Sequence, residues 1–198
     1  SFEEMKAIVD EAHMRDLPVA AHAHGTSGIK TAIKAGVDSI EHASFLDDEA
    51  IALAKKHGTW LSMDIYNTEY TLSFGEQNGV DEENLNKERQ VSKKQRDSFN
   101  RAVKAGVNMV FGTDAAIYPH GDNAKQFSRM VKFGMSELQA IQAATINSAK
   151  LLKMDNKLGQ LKSGFAADII AVKGNPLKNI SVLERIPFVM KAGVVYKK

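Results

Sequence analysis

The stretch "VAAHAHGTSGIKTAIKAGVDSIEH", residues 19–42, decides the fold. An apolar run leads into two histidines, and Ile29, Ala32 and Ile33 then recur at helical spacing. Gly36 stops that helix, and a second apolar run ends on His42. Strand, helix and strand in succession, with no tight turn between the strands, describe a parallel crossover unit. Alternate residues of a strand face the same way, so His22 and His24 can look into one pocket. They read either as two metal ligands or as one ligand and a bystander, and the pattern alone leaves both open.

The same plan repeats on either side. Upstream, "SFEEMKAIVDEAHMR" carries Met5, Ile8, Val9 and Ala12 at helical spacing, with Ser1 and Glu4 in capping-box positions. The chain runs into this helix from its first residue, so a preceding segment is expected. "LPVAAH" then reads as a short buried strand after Pro18. Downstream, a third unit runs from Asp47 through Ala50, Leu53 and Ala54 to Gly58 and enters "TWLSMDIY". A fourth has a helix ending near Ala105, Gly106 as its stop and "VNMVFGTD" as its strand. "AIKAGVDSIEH" and "AVKAGVNMVFGTD" echo one another across the chain. Four helix–strand units argue for an α/β fold with a parallel sheet, closed as a barrel or open and doubly wound.

A loop containing "YPHGD" follows, then a helix from about Asp122 to Phe133 and another capped by Ser136 with Gln139. From Leu158 the texture changes to the short strands "ADIIAV", "PFVMKAG" and "VVYKK", with "KGNPLKN" as a turn. The expected division is therefore an α/β unit over residues 1–157 and a small β appendage over 158–198.

Composition narrows the chemistry. The chain has 198 residues, 43% hydrophobic and 25% charged, as in ordinary globular domains. A net charge of +2, without Lys/Arg clusters interleaved with aromatics, argues against nucleic acid as a partner. No apolar run approaches the roughly 20 residues needed to span a bilayer. There is no cysteine, so any metal must be held by His, Asp or Glu. His22, His42, Asp64 and Asp114 each stand at the carboxyl end of a strand, the edge where parallel α/β folds place their chemistry. His22 and His42 lie on consecutive strands and Asp114 two strands further on. Two imidazoles and a carboxylate suit Zn²⁺ or a similar ion, which lowers the pKa of bound water from 15.7 to about 7. Asp114 would then serve both as ligand and as proton acceptor.

Four stretches in order, "VAAHAHGTSGIKTAIKAGVDSIEHASFLDDEAI", "VFGTDAAIYPHGDNAKQF", "LQAIQAATINSAKLL" and "GQLKSGFAADIIAV", resemble the amidohydrolase superfamily. The likeness is to its prolidase-like dipeptidase and carboxypeptidase branch and covers essentially the whole chain. It implies a (β/α)₈ TIM-type barrel with a small accessory β domain, and metal ligands from strands 1, 4, 5, 6 and 8. His22 maps onto the fifth-strand histidine, His42 onto the sixth and Asp114 onto the eighth-strand aspartate. The family's metal-binding His-x-His belongs to strand 1, whereas "HAH" here stands in the context of strand 5. His22 is thus the expected ligand, and His24 sits beside the metal or on the substrate side, with a fourth-ligand role as an alternative.

The counterparts of strands 1 to 4 are absent, and with them the His-x-His pair and the lysine that the family carboxylates. The chain resembles the C-terminal half, strands 5 to 8 plus the β appendage. Half a barrel exposes sheet edges, so a partner is implied: the N-terminal half of the same enzyme, or a second copy in a homo-oligomer.

Residues Tyr66 to about Asn86 show no strong periodicity and read as a long loop over the active edge, a lid or substrate clamp. Tyr66 and Tyr70 are candidates for holding a substrate carboxylate or carbonyl, and Asp64 or Glu69 for pairing with a basic substrate side chain. His120 is a candidate to stabilise a tetrahedral intermediate. His13 and His57 fall on helices and receive no role. The expected function is metal-dependent hydrolysis of peptide or amide bonds, with Asp114 as general base and acid. The alternatives are a deaminase or cyclic amide hydrolase of the same superfamily, or a structural half without turnover on its own.

Overall fold

The structure, a computed structural model, describes residues 1–198. Helix α1 (Phe2–His13) opens with the expected capping box: Ser1 Oγ accepts the Glu4 N–H, and the Glu4 carboxylate accepts from the terminal ammonium at 2.6 Å. The repeating units follow as β1 (Ala20–Ala23), α2 (Thr26–Ala35), β2 (Ser39–His42), α3 (Asp48–His57) and β3 (Trp60–Ser62). Two helices, α4 (Ile65–Phe74) and α5 (Glu82–Ala105), separate β3 from β4 (Met109–Val110). Gly36, Gly58 and Gly106 end α2, α3 and α5 at φ +98°, +73° and +70°. A side chain there would clash with its own backbone, which is why each unit turns at a glycine.

All four strands pair in parallel, in the order β1-β2-β3-β4. Helices cover one face, where Ile29, Ile33, Ile40, Leu61, Phe99 and Met130 form a fully buried core. Residues opposite one another in parallel register share a face, so Ser39, Glu41 and Ser62 line the other side of the sheet together. Those polar residues make it a chemical face and not a second core.

Two expectations need correction. The strand expected at "LPVAAH" is not fully buried: Ala20 and His22 are exposed, while Val19, Ala21 and the following Ala23 are half-buried against the helix layer. The cause is position, since β1 is an edge strand, paired on one side only. The loop expected over residues 66–86 is largely helical. Ile65, Tyr66, Asn67 and Thr68 are all buried, so the first turn of α4 is enclosed on every side and carries no apolar stripe.

The two edges of the sheet differ. At β4, Asn147 Nδ2 donates to Met109 O at 3.0 Å and the Phe111 N–H donates to Ala143 O at 3.2 Å, so a side-chain amide and a helical carbonyl engage this edge. Those partners lie in a π-helical turn, Ala143–Asn147, between α7 (Glu137–Gln142) and α8 (Ser148–Leu151). Helix α6 (Lys125–Lys132) precedes them, starting three residues after the expected Asp122 because 122–124 form a turn. Ser136 and Gln139 form the expected capping box on α7.

The last segment folds as a three-stranded antiparallel sheet of β5 (Ile169–Ala171), β6 (Phe188–Lys191) and β7 (Val194–Lys197). A 3₁₀ helix, Ile180–Glu184, lies between β5 and β6, and its Glu184 accepts from Ser128 Oγ of α6. No helix of the chain is long and apolar enough to cross a membrane.

Candidate metal centre

His22, His24 and His42 meet at the carboxyl edge of β1 and β2. Ring centroids lie 4.4 Å apart for His22 and His42, 4.5 Å for His24 and His42, and 4.9 Å for His22 and His24. A second cluster joins His42 to Asp64 and Asp114, and in each cluster the possible ligand atoms lie within 4.8 Å of one another. His42 is the shared member. His22 belongs to the first cluster and Asp114 to the second, and both line one cleft of about 300 Å³ with Glu41, His42, Ser62 and Asp64.

Backbone geometry aims these groups. His42 closes β2 at φ +70° and Asp114 follows β4 at φ +47°, both in the left-handed region that non-glycine residues seldom occupy. Strain of this kind persists only where surrounding bonds over-determine the backbone. Around Asp114 they do: Gly112 O accepts from Gln126 Nε2 at 2.8 Å, Thr113 O from Tyr118 Oη at 2.9 Å, and Thr113 Oγ1 from Asn123 Nδ2 at 3.0 Å.

Asp64 is 6% exposed and its carboxylate is fully engaged. Oδ1 lies 3.0 Å from His42 Nδ1 and 3.3 Å from Gln95 Nε2, while Oδ2 accepts from Asn67 Nδ2 at 3.0 Å. The same Asn67 amide reaches Asp114 Oδ2 at 3.3 Å, tying the two carboxylates together. The bond to Asp64 raises the His42 imidazole above its ordinary value against the effect of burial. Burial alone would push the Asp64 carboxyl up, but the bonds from His42 and Asn67 prevail and hold it low. His24, with Nδ1 2.9 Å from Ser44 Oγ, is pushed down by burial and by the His42 and His22 rings. That favours the neutral imidazole, the form that binds metals.

The donor chemistry fits a divalent ion. A histidine whose Nδ1–H is held by a carboxylate presents Nε2 outward in a fixed tautomer, the arrangement typical of metal-ligating imidazoles. Imidazoles and carboxylates together suit zinc and its neighbours in the first transition series.

The remaining candidates stand elsewhere. Tyr66 is 4% exposed and packs against Tyr118, with ring centroids 4.8 Å apart, beneath the Arg129 guanidinium. Glu69 is paired with Arg129, and Tyr70 stacks near Phe74. His120 is exposed in the turn after Tyr118 and does not line the cleft. Sequence reasoning missed Glu41, Asn67, Gln95 and Gln126. Glu41 alone had a signal, its place in register beside His22.

Comparison with known proteins bears on the fold and the family. The chain is 44% identical to a Xaa-Pro dipeptidase solved with methionine in its active site, with a TM-score of 0.94 over 100% of this chain and 49% of that one. A prolidase complexed with N-methylphosphonate-L-proline gives a TM-score of 0.92 at 30% identity, over 100% of this chain and 49% of that one. Ochratoxinase from Aspergillus niger is 37% identical over 201 residues, covering 98% of this chain and 41% of that protein. The chain thus spans about half the length of the relatives it matches. Residues 1–196 match the amidohydrolase family as a whole, and the chain belongs to that family.

Proposed function

We propose that this chain is the second half of a metal-dependent hydrolase of peptide or amide bonds, of the dipeptidase or carboxypeptidase type. In this reading β1 to β4 are strands 5 to 8 of a (β/α)₈ barrel, and an accessory β segment begins near residue 158. One observation carries the reading: His42, whose Nδ1 is held by buried Asp64, belongs both to the cluster of His22 and to that of Asp114. His22, His42 and Asp114 hold the cation, with zinc the ion that best suits the donors. When bound by such donors, a divalent cation supplies Lewis-acid polarisation and lowers the pKa of water to about 7.

The chain's own residues do the rest. Asp114, exposed at the mouth and anchored through Asn67, accepts a proton from water and returns it to the leaving amine. His24 borders the substrate. Asp64 works through His42, because all its bonds are spent on holding neighbours in place. Similarity to a Xaa-Pro dipeptidase, a prolidase and ochratoxinase supports a peptide or amide substrate.

The missing portion of the barrel comes from the complementary half of the enzyme or from a second copy of this chain. Its strands would add at both ends of the sheet, at β1 and beside β4, as closure of a barrel requires.

The test is metal analysis with an assay of Xaa-Pro dipeptides, other dipeptides and cyclic amides, on this chain alone and on a chain extended by the complementary half. Near-stoichiometric metal and dipeptide turnover in the extended chain support the reading. Turnover of cyclic amides or deamination alone would move it elsewhere in the family, and no metal and no turnover in either would end it.

A further inference from the structure

Asp64 occupies the N-cap position of α4, where an aspartate ordinarily accepts a backbone N–H of the first helical turn. Here its side chain makes no capping bond. The Asn67 N–H donates to Asp64 O at 3.1 Å, and the Tyr66 N–H, which an N-cap side chain could also take, donates to Gln126 Oε1 at 2.8 Å. Gln126 comes from α6, sixty residues away in sequence, and is 0% exposed. Its Nε2 donates to Met63 O at 2.7 Å and to Gly112 O at 2.8 Å. One amide therefore caps α4 and clamps the backbone on which both Asp64 and Asp114 are mounted.

We infer that Gln126 is a positioning residue that substitutes for Asp64 as the cap of α4, and so releases the Asp64 carboxylate to orient His42. With Gln126 holding the Tyr66 N–H, both Asp64 oxygens stay on His42, Gln95 and Asn67. The amide is the right group for the task because only a side chain with both an acceptor and a two-hydrogen donor serves one N–H and two carbonyls at once. An apolar residue of the same size would strand three buried backbone groups.

The experiment compares Gln126→Met with Asn147→Leu, which removes a half-buried amide bond to Met109 O at the other edge of β4. Two readouts are taken beside the melting temperature: the slowly exchanging His42 Nδ1–H proton by NMR, and cobalt(II) affinity by absorbance. In Gln126→Met the carboxylate turns to the Tyr66 N–H, the His42 proton signal is lost, and cobalt affinity falls about tenfold or more. Asn147→Leu lowers the melting temperature but keeps both. The cobalt readout rests on the hydrolase reading and the proton readout does not. If the parent chain binds no cobalt, that reading fails while the proton signal still decides the role of Gln126. Persistence of the His42 signal in Gln126→Met, or its equal loss in Asn147→Leu, overturns the inference. Should Gln126→Met fail to fold, Gln126→Glu keeps the acceptor for Tyr66 and removes the donors. It should then retain the His42 signal, and loss of that signal would equally overturn the capping role.

Discussion

Asp64 and His42, twenty-two residues apart, meet across neighbouring strand ends with Oδ1 3.0 Å from Nδ1. The contact fixes the tautomer of the imidazole shared by both side-chain clusters. Replacing Asp64 with Asn removes the charge while keeping the shape. It should lower metal affinity by about tenfold to a hundredfold. Because His42, Gln95 and Asn67 all lose a charged acceptor, stability should also fall by about 1–3 kcal/mol. Isothermal titration with zinc and a denaturant melt check the two parts separately.

The paired histidines of β1 and its exit should behave differently. His22→Ala should abolish metal binding, whereas His24→Ala should keep it within about tenfold, the scale of an outer-shell change. Titration of both variants with cobalt(II) distinguishes them, and the reverse order would make His24 the ligand.

Gly112 lies against β3, where an added Cβ would overlap Ser62 Oγ while standing an acceptable 3.4 Å from Ser62 Cβ. Gly112→Ala should therefore cost about 1–3 kcal/mol, as overpacking does. In a Ser62→Ala background most of that cost should vanish, giving a coupling of about 0.5–3 kcal/mol in a double-mutant cycle. Additive costs would contradict the contact.

Acid should loosen the junction of α4 and α6 through Glu69. Its hydrogen bond to the Arg129 guanidinium holds the carboxyl below the usual value of 4.5. A depressed folded value adds stability above the unfolded pKa and loses it as pH falls through the folded one. The contribution is thus present at neutral pH and disappears below about 4.5. Glu69→Gln should flatten the stability profile in that acid window only, as followed by urea melts at stepped pH.

Much of this was legible in the letters. Gly36, Gly58 and Gly106 marked the helix ends because glycine adopts those backbone angles without the strain other residues incur, and Ser1 with Glu4 and Ser136 with Gln139 announced their helices by side-chain chemistry. Parallel units also placed His22, His42, Asp64 and Asp114 at one edge. Helix α4 escaped because a turn buried on all sides has no stripe to read. Asn67, Gln95 and Gln126 escaped because their partners are carboxylates and backbone carbonyls from remote segments, which no local spacing encodes. The exposure of β1 follows from its place at the edge of the sheet, which the letters do not encode.

The most direct measurement is X-ray absorption at the zinc edge on the purified, zinc-loaded chain, together with its His22→Ala, His42→Ala and Asp114→Ala variants. A mixed imidazole and carboxylate shell, near one ion per chain, weakened by each substitution, is the expected result. Zinc that fails to bind, or that keeps the same shell in all three variants, would show that these side chains do not share an ion.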